Sequence, residues 1–123
     1  MSRADARDAA YAALADPTRR AILELLRDEP GANAGQIASR FPHISRPAVS
    51  KHLRVLREAD LVRAEEHGRE WKYQVDPHPL ADIYYGWLQS FAPMWEESLD
   101  RLKRQVEGGA DGRRRDGRRQ RRA

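Results

Sequence analysis

The 123-residue sequence contains no cysteine, and this absence limits the chemistry that the chain can carry. Without thiols there can be no disulfide bond, no thiolate metal ligand and no sensing through cysteine oxidation. The chain also lacks an apolar run near the roughly 18–20 residues of a membrane-spanning helix, and its first residues lack the apolar core of a secretory signal. We therefore expect no membrane association and a cytoplasmic location.

Groups that could support catalysis are also missing from the sequence. An enzyme site needs a nucleophile, a base and an orienting group that converge on one point. The adjacent carboxylates Glu96 and Glu97 would diverge on a helix, and no glycine-rich phosphate-binding loop is present. We predict no catalytic site and no cofactor.

Positive charge is concentrated at the end of the chain. Residues 108–123 hold seven Arg against two Asp, which leaves residues 1–107 near neutral with 16 basic and 17 acidic side chains. The end segment has no apolar periodicity that could offset the entropy of ordering, so it is predicted to be a disordered Arg-rich tail after a single domain over 1–107. Its arginines either attract phosphates without sequence preference or only improve solubility.

One stretch within the domain combines an apolar stripe with a basic face. Val49, Leu53 and Leu56 recur at the spacing that places one face of an α-helix against a core. Ser45 is a suitable N-cap and Pro47 is tolerated in a first turn, so the helix should begin at about Arg46.

The opposite face of this helix is expected to contact a polyanion. Residues 40–57 contain five Arg or Lys and no Asp or Glu, whereas the rest of the domain mixes both signs. Pro47, Lys51 and Arg54 point away from the stripe, with Arg46 and the other polar residues on the flank. The alternative is a solvated helix face that happens to be basic.

The flanking sequence predicts four more helices and one β-hairpin. Asp16-Pro17 reads as an N-cap followed by proline at the first helical position. Gly68 marks a turn, and Trp71, Tyr73 and Val75 alternate with polar residues as in a half-buried strand. Two short helices joined by a tight turn, the second with a basic face, form the layout of a helix-turn-helix. The predicted helices cover 5–15, 17–28, 34–40, 46–57 and 80–106, and the hairpin covers 61–66 and 70–75.

The apolar stripe of the last predicted helix is longer than one small core requires. It runs for about seven turns from Leu80 to Val106, and Pro93 should kink or break it. Such a stripe is often core, but exposed patches of this size are rarely left bare, so we predict a homodimer interface shared with the Ala-rich first helix. The predicted interface residues are Ala9, Ala13, Tyr84, Trp87, Phe91, Trp95, Leu99 and Leu102.

The sequence contains motifs, in this order, at 14–20, 22–26, 44–53, 56–62 and 67–69. Together they closely resemble the ArsR-type winged helix-turn-helix transcriptional regulators of bacteria and archaea. The resemblance covers about residues 8–106. It implies a mainly α fold with a small β-hairpin, that is, a winged helix-turn-helix of five helices and a two-stranded wing. It further implies a homodimeric repressor that binds operator DNA, with the helix at 46–57 in the major groove and the first and last helices at the dimer interface.

The sequence departs from the metal-sensing members of this family. The short helix before the recognition helix carries Cys in the thiolate sensors, but residues 32–38 have none. Asp76 and His78 could imitate the first half of the zinc sensors' site, but no histidine follows His78. We predict no metal site. The Trp-rich last helix resembles that of metal-independent members often encoded beside small lipid- or hydrophobe-binding proteins, so an unknown hydrophobic effector near Trp87 and Trp95 stays possible.

The predicted DNA contacts divide into two groups. The N-terminal part of a recognition helix enters the groove most deeply, so Arg46, Ser50 and Lys51 are expected at base edges. Phosphate contacts, which set position rather than sequence, are expected from Ser45, Arg54, Arg57 and Arg69. His52 is expected to be half-buried and either touches a phosphate or serves only the core. The rival hypothesis is a winged-helix protein-interaction module whose tail alone binds nucleic acid. The full set of predicted DNA-binding residues is Ser45, Arg46, Pro47, Ser50, Lys51, His52, Arg54, Arg57 and Arg69.

Overall fold

The computed structural model describes residues 2–115, which form a mainly helical chain with one small antiparallel sheet. This confirms the predicted fold class. By its Cα packing the chain divides into two compact units, with the boundary between Tyr84 and Tyr85. The elements in chain order are α1 (Arg3–Leu14), α2 (Pro17–Asp28), β1 (Ala32–Asn33), α3 (Ala34–Ser39), α4 (Arg46–Glu58), β2 (Val62–His67), β3 (Glu70–Val75), α5 (Pro77–Gly86), a 3-10 helix (Leu88–Phe91) and α6 (Ala92–Arg115).

Side-chain caps fix where the first four helices begin. Asp16 accepts a hydrogen bond from Arg19 N at 3.0 Å, with Pro17 at the first helical position, and Ser45 accepts one from Ala48 N at 3.2 Å. Ser2 and Asn33 cap α1 and α3 in the same way. Each cap satisfies one backbone N–H that has no partner inside its helix. The predicted starts of α2 at Pro17 and of α4 at Arg46 are confirmed.

The core of the first unit lies where α2, α3 and α4 meet. The stripe Val49, Leu53 and Leu56 of α4 is buried as predicted, against Ile22 and Leu26 of α2 and their neighbours. Ile22, Leu23 and Leu26 are buried, whereas Leu25 is only partly buried. The largest fully buried side chains are Ile22, Leu26, Ile37, Val49, Leu56 and Leu61.

The end of α4 sets the direction in which β2 leaves the core. Asp60 N donates to Arg57 O at 3.0 Å and Leu61 N donates to Leu56 O at 2.9 Å, while Asp60 has a φ of 61°. These two bonds with one left-handed residue form a Schellman ending, and the accompanying apolar contact is supplied by the buried Leu56 and Leu61. The chain therefore turns sharply from α4 into β2.

The sheet has three strands in the order β1-β3-β2, not the two that were predicted. Ala32 pairs with Tyr73 and Asn33 with Lys72, and Gly31, at a φ of 86°, donates its N–H to Tyr73 O at 2.9 Å. A strand of two residues is too short to show a period of two, so the sequence carries no pattern for it.

The hairpin turns at Gly68, as predicted. Gly68 has a φ of 64°, which is the conformation that a two-residue hairpin turn with glycine at its first central position requires. Tyr73 and Val75 pack against the core, but Trp71, which was predicted to share their burial, is 45% exposed. Trp71 lies nearer the hairpin tip, opposite Glu66, where the strands have passed the edge of the core.

The helix predicted over 80–106 is broken into three elements. The helix α5 ends at Gly86, a 3-10 helix follows, and α6 begins at Ala92 with Pro93 in its first turn. Pro93 breaks the helix as predicted, because its missing N–H and fixed φ are compatible with a first turn and not with a helix interior. The break therefore falls before Pro93.

The last helix also extends past the predicted start of the tail. The backbone of 108–115 continues α6 as far as Arg115, although Gly108, Gly109 and Gly112 in this stretch have low helix propensity. Residues 116–123, the rest of the predicted tail, lie outside the described residues, so their disorder stays a prediction. Within 2–115 no helix is long and apolar enough to cross a membrane.

Candidate nucleic-acid interface

The turn between α3 and α4 is held by its own backbone. Phe41 N donates to Ala38 O at 3.0 Å and Ile44 N donates to Phe41 O at 3.2 Å, while the Phe41 side chain is buried in the core. This fixes α4 relative to α3 in a helix-turn-helix.

The exposed side of α4 carries the basic and hydroxyl groups that the sequence predicted there. Its apolar stripe is buried, so the polar residues must face outward, and no acidic residue occurs before Glu58. Guanidinium, ammonium and hydroxyl groups can donate hydrogen bonds to base edges and phosphates. The residues that the structure places on this exposed side are Ser45, Arg46, Pro47, Ser50, Lys51, Arg54 and Arg57.

Arg46 lies at the junction of the two helices. A Cβ atom built on Gly35, in the first turn of α3, would be 3.6 Å from Nη2 of Arg46. The guanidinium therefore extends back over the start of α3, beside Gly35. Rotation of the side chain about its flexible stem would carry the same group toward a ligand.

His52 is half-buried, as predicted, and it faces the corner between α1 and α2. Its Nδ1 lies 3.4 Å from Nη1 of Arg19 and 4.0 Å from Oδ2 of Asp16. His52 therefore helps attach the recognition helix to that corner. A phosphate contact by His52 stays a prediction.

The side chains of Arg19 and Arg20 link the start of α2 to the end of α1, a role that sequence reasoning missed. Arg19 donates from Nε to Ala13 O at 2.8 Å and from Nη2 to Ala12 O at 3.2 Å, and Arg20 donates to Leu14 O at 2.6 Å. These bonds supply side-chain donors to the carbonyls at the end of α1, where Ala12 O also accepts from Ala15 N at 3.3 Å.

Asp16, the N-cap of α2, lies at the same connection between α1 and α2. The hydrogen bond from the Arg19 backbone N–H, helped by the nearby His52 and Arg19 side chains, lowers the pKa of Asp16 below its usual value. The carboxylate thus remains charged at neutral pH and stays a hydrogen-bond acceptor. The motif at 14–20 forms this connection between α1 and α2. Through Arg19 and Asp16 it lies against His52 and so helps to position α4.

The wing meets the C-terminal part of α4 through an aromatic contact. The Arg57 guanidinium carbon lies 5.8 Å from the centroid of the Trp71 ring, within the range of a cation–π interaction. Arg69 is exposed beside Gly68 at the hairpin tip, as predicted. The contact of Trp71 with Arg57 was missed because the alternation of Trp71 in β3 indicated only core.

An open groove, here called the helix–wing groove, runs between α4 and β2. Its volume is about 760 Å³, and it brings Arg63, which the sequence did not single out, beside two arginines of α4. The polar residues that line it are Arg54, Arg57, Arg63, Glu58, Glu65 and Gln74.

Asp76 and His78, the candidates for half of a metal site, bond to each other. Asp76 Oδ1 accepts from the backbone N of His78 at 3.0 Å and lies 2.8 Å from His78 Nδ1, and the His78 side-chain hydrogen bond lowers the pKa of Asp76. This arrangement lies at the start of α5. Among the described residues no three His, Asp or Glu side chains come together as a group that could hold a metal.

The predicted interface residues do not all reach the surface. Ala13 is 0% exposed and packs in the core of the first unit, so its assignment to a subunit interface is wrong. The reason is that the small side chains of α1 allow α2 and α4 to approach closely. Ala9 is partly buried against the same core.

The other predicted interface side chains are exposed. Trp87 packs edge to face on Phe91, with ring centroids 5.1 Å apart and planes at 73°. An apolar groove of about 480 Å³ within the second unit is lined by Trp87, Leu88, Phe91, Met94, Trp95 and Ser98. The exposed members of the predicted interface set are Tyr84, Trp87, Phe91, Trp95, Leu99 and Leu102.

Comparison with known proteins identifies the chain. Residues 14–65 match the family model described as a helix-turn-helix domain. The HTH-type transcriptional regulator Rv2034 of Mycobacterium tuberculosis is 49% identical over 83 residues, which are 68% of this chain and 76% of that protein. The transcriptional repressor SdpR of Bacillus subtilis is 36% identical over 89 residues, 72% of this chain and 96% of that protein. The chain belongs to the ArsR-type family of winged helix-turn-helix transcriptional regulators.

Solved structures of ArsR-type proteins share the fold. An ArsR-like transcriptional regulator from Rhodococcus sp. RHA1 is similar with a TM-score of 0.63 and 32% identity, over 81% of this chain and 92% of that one. The homodimeric winged helix-turn-helix DNA-binding domain Mb0332 from Mycobacterium bovis is similar with a TM-score of 0.56 and 25% identity, over 72% of this chain and 80% of that domain. These similarities make α4 the recognition helix and the β2–β3 hairpin the wing of an ArsR-type regulator.

Proposed function

We propose that the protein is a homodimeric repressor that binds a palindromic operator through α4. The observation that carries the proposal is the exposed side of α4, which has basic and hydroxyl groups from Ser45 to Arg57 and no acidic residue. Similarity to a named repressor and to a homodimeric DNA-binding domain supports it.

The side chains divide between base recognition and backbone contact. Arg46, Ser50 and Lys51 occupy the first half of α4, which enters the major groove most deeply. An arginine there can donate two hydrogen bonds to a guanine, whereas contacts further along fix the position of the helix on phosphates. Arg54 and Arg57 serve the second purpose, and Arg69 at the wing tip contacts the backbone of the neighbouring groove.

The second copy is held by the exposed apolar side chains of the second unit. Trp87, Phe91 and Trp95 supply large apolar areas, and aromatic side chains of this kind dominate the binding energy of interfaces. An apolar patch left in water would carry a free-energy cost, which a dimer removes. A hydrophobic effector that entered the groove at Trp87 and Trp95 would compete with this contact.

Selection of bound sequences from random DNA with the purified protein tests the proposal. A two-fold dimer presents two equivalent recognition helices to one face of the duplex, so half-sites should lie about 10 base pairs, or a multiple, apart. Footprinting on the selected sequence then measures the spacing. A single asymmetric site bound by one subunit would rule out the symmetric dimer.

A pair of variants separates recognition by α4 from attraction by the Arg-rich end. Arg46→Ala should cost about 1–3 kcal/mol at the operator and much less on random DNA, because it removes a contact to bases. Deletion of 109–123 should weaken binding to random DNA and flatten its salt dependence, because up to seven arginines that release counterions are lost.

Both variants are titrated on operator and random duplexes at several salt concentrations. The exposed Arg27, which pairs with Asp28 on α2, offers a control in Arg27→Ala. If the deletion abolishes operator preference while Arg46→Ala leaves it unchanged, α4 is not the reading element. The interaction-module hypothesis would then describe the protein better.

A further inference from the structure

One ring nitrogen of His52 lies between two partners of opposite kind. Its Nδ1 is 3.4 Å from Nη1 of Arg19, which can only donate a hydrogen bond, and 4.0 Å from Oδ2 of Asp16, which as a carboxylate can only accept one. An Nδ1 without a proton can accept from Arg19, and an Nδ1 with a proton can donate only to Asp16. The two contacts therefore exclude each other, and the protonation of one atom decides between them.

Both partners are held in place by other hydrogen bonds. Arg19 donates from Nε to Ala13 O at 2.8 Å and from Nη2 to Ala12 O at 3.2 Å. Asp16 Oδ2 accepts from the backbone N of Arg19 at 3.0 Å. A change of partner therefore has to move the imidazole ring rather than the partners. The movement is about 1 Å if the charged hydrogen bond to Asp16 reaches its usual length of about 2.9 Å.

The surroundings of the ring contain one charge of each sign. The charged groups that face His52 are Arg19 of α2 and Asp16 just before that helix. The helix α1 also packs against α4, but among the described residues no charged side chain of α1 or α4 forms a hydrogen bond or ion pair with His52. Since the two neighbouring charges sum to zero, a proton on His52 gives this connection a net positive charge.

Of these three groups, only His52 changes charge near neutral pH. Histidine gains or loses its proton between pH 5 and pH 8, whereas a guanidinium stays protonated. The backbone hydrogen bond from Arg19, with smaller contributions from the His52 and Arg19 side chains, lowers the pKa of Asp16. Asp16 therefore stays a carboxylate through this range, and both alternative partners of the ring keep their character.

We propose that His52 is a proton-operated switch in the attachment of α4. When it is neutral, Nδ1 accepts a hydrogen bond from Arg19; when it takes a proton from solvent, Nδ1 donates to Asp16 at the N-cap of α2. The proton also adds a positive charge to the helix that the proposed function assigns to DNA, so acidification tightens operator binding. This last step rests on the proposed function, whereas the change of partner does not.

An NMR titration of the imidazole nitrogens between pH 5 and pH 8 tests the change of partner. At pH 8 in the wild type, Nδ1 should carry no proton and Nε2 should carry one. Asp16→Asn removes the anion, so the midpoint of the His52 titration should move to lower pH by about half a unit. Arg19→Gln removes the cation and should move the midpoint to higher pH by a similar amount.

Two histidines away from this connection provide the control in the same spectra. His43 and His67 are exposed in turns, and their titration midpoints should not move in either variant. Urea unfolding at pH 7 checks that each variant keeps the fold. If Arg19→Gln does not fold, the position of the proton in the wild type and the shift in Asp16→Asn still decide the question.

Operator affinity between pH 5.5 and pH 8, at constant ionic strength, tests the effect on DNA binding. If the negative potential of DNA moves the His52 midpoint by about half a unit, linkage makes binding about threefold tighter at the acidic end. His52→Gln should lose this gain, and His43→Gln, the matched variant at an exposed histidine, should keep it.

The possible failures are distinct. Unchanged midpoints in both Asp16→Asn and Arg19→Gln, or a proton on Nδ1 at pH 8, would overturn the change of partner. An equal response of operator affinity to pH in the wild type and His52→Gln would overturn the effect on DNA binding. Random-DNA selection that yields no operator would instead defeat the proposed function and leave the NMR result standing.

Discussion

In the first unit, residues 2–84, the stripes of α2 and α4 are buried against each other, so that Ile22, Leu53 and Leu56 are all close to zero exposure. In the second unit, the stripe of α6 leaves Trp95 38% and Leu99 59% exposed. All three helices have the apolar spacing of a packed face. Among the described residues, the stripes of α2 and α4 are covered by other elements of the first unit, whereas the stripe of α6 is left exposed. One periodic pattern can therefore specify either a buried face or an exposed one, and the neighbouring elements decide which.

A core substitution should show the largest difference between the two units. Leu56→Ala should lower the free energy of unfolding by about 2–5 kcal/mol, because it removes buried apolar volume and leaves a cavity. The matched change Leu102→Ala, on an exposed side chain of α6, should change it by far less at concentrations where the protein is monomeric. Urea denaturation followed by circular dichroism measures both. Equal losses would mean that α6 belongs to the same core.

A charge placed in the apolar groove of the second unit should separate subunits without unfolding them. Trp95→Glu should weaken the dimer about 30-fold or more, since it replaces an interface anchor with a charge that would be buried. Sedimentation velocity at micromolar concentration shows the change, and circular dichroism checks that helices remain. A wild type that is monomeric there, or a variant that stays fully dimeric, contradicts the interface.

The corner that supports α4 should make the first unit sensitive to acid. Asp16→Ala should cost about 0.5–2 kcal/mol at neutral pH by removing the cap of α2, whereas Asp16→Asn should keep most of it. The pKa of Asp16 is lowered on folding, so its charged form stabilises the fold above the unfolded pKa of about 4, and this contribution is lost as the pH falls through the lower folded value.

Thermal unfolding of the three proteins between pH 7 and pH 2.5 measures this contribution. Because Asn does not titrate, the difference between wild type and Asp16→Asn should shrink as the pH falls. A difference that does not change with pH would show that the charge of Asp16 contributes nothing.

The smallest expected effect concerns the turn between α4 and the wing. Asp60→Asn should raise the stability of the first unit by about 0.3–1 kcal/mol, because it removes a negative charge from the C-terminal end of a helix and keeps a residue that tolerates a positive φ. Asp60→Val should destabilise instead. Calorimetry on both variants tests the sign, and a more stable Val variant would refute the left-handed geometry.

Much of the first unit could be predicted because its signals are local. The caps at Asp16 and Ser45 lie three residues from the N–H groups that they accept from, and the stripe of α4 repeats within two turns. The basic face of α4 followed directly from that stripe. Local sequence was therefore sufficient for the helix-turn-helix and for the exposure of the basic and hydroxyl residues of α4.

The features that were missed depend on residues that are distant in the chain. Strand β1 exists only because it pairs with Tyr73, and the contacts Arg57–Trp71 and Arg19–His52 join different elements. Arg63 is one charge in an alternating strand, which carries no signal of its own. Ala13 was misassigned because an alanine face fits a subunit contact and a close helix packing equally well.

The third strand also determines how the protein can adapt to DNA. Asn33 caps α3 through Gln36 N at 2.8 Å, and its Nδ2 donates to Glu70 Oε1 of β3 at 2.6 Å, while the backbone of β1 pairs with β3. The first helix of the helix-turn-helix is thereby hydrogen-bonded to β3, which limits how far the hairpin can move relative to α3. If the spacing between α4 and the hairpin is kept on DNA, a duplex with a different groove spacing has to bend or twist, at an elastic cost that depends on its base steps. The operator would then be selected partly by the stiffness of base pairs that no side chain touches.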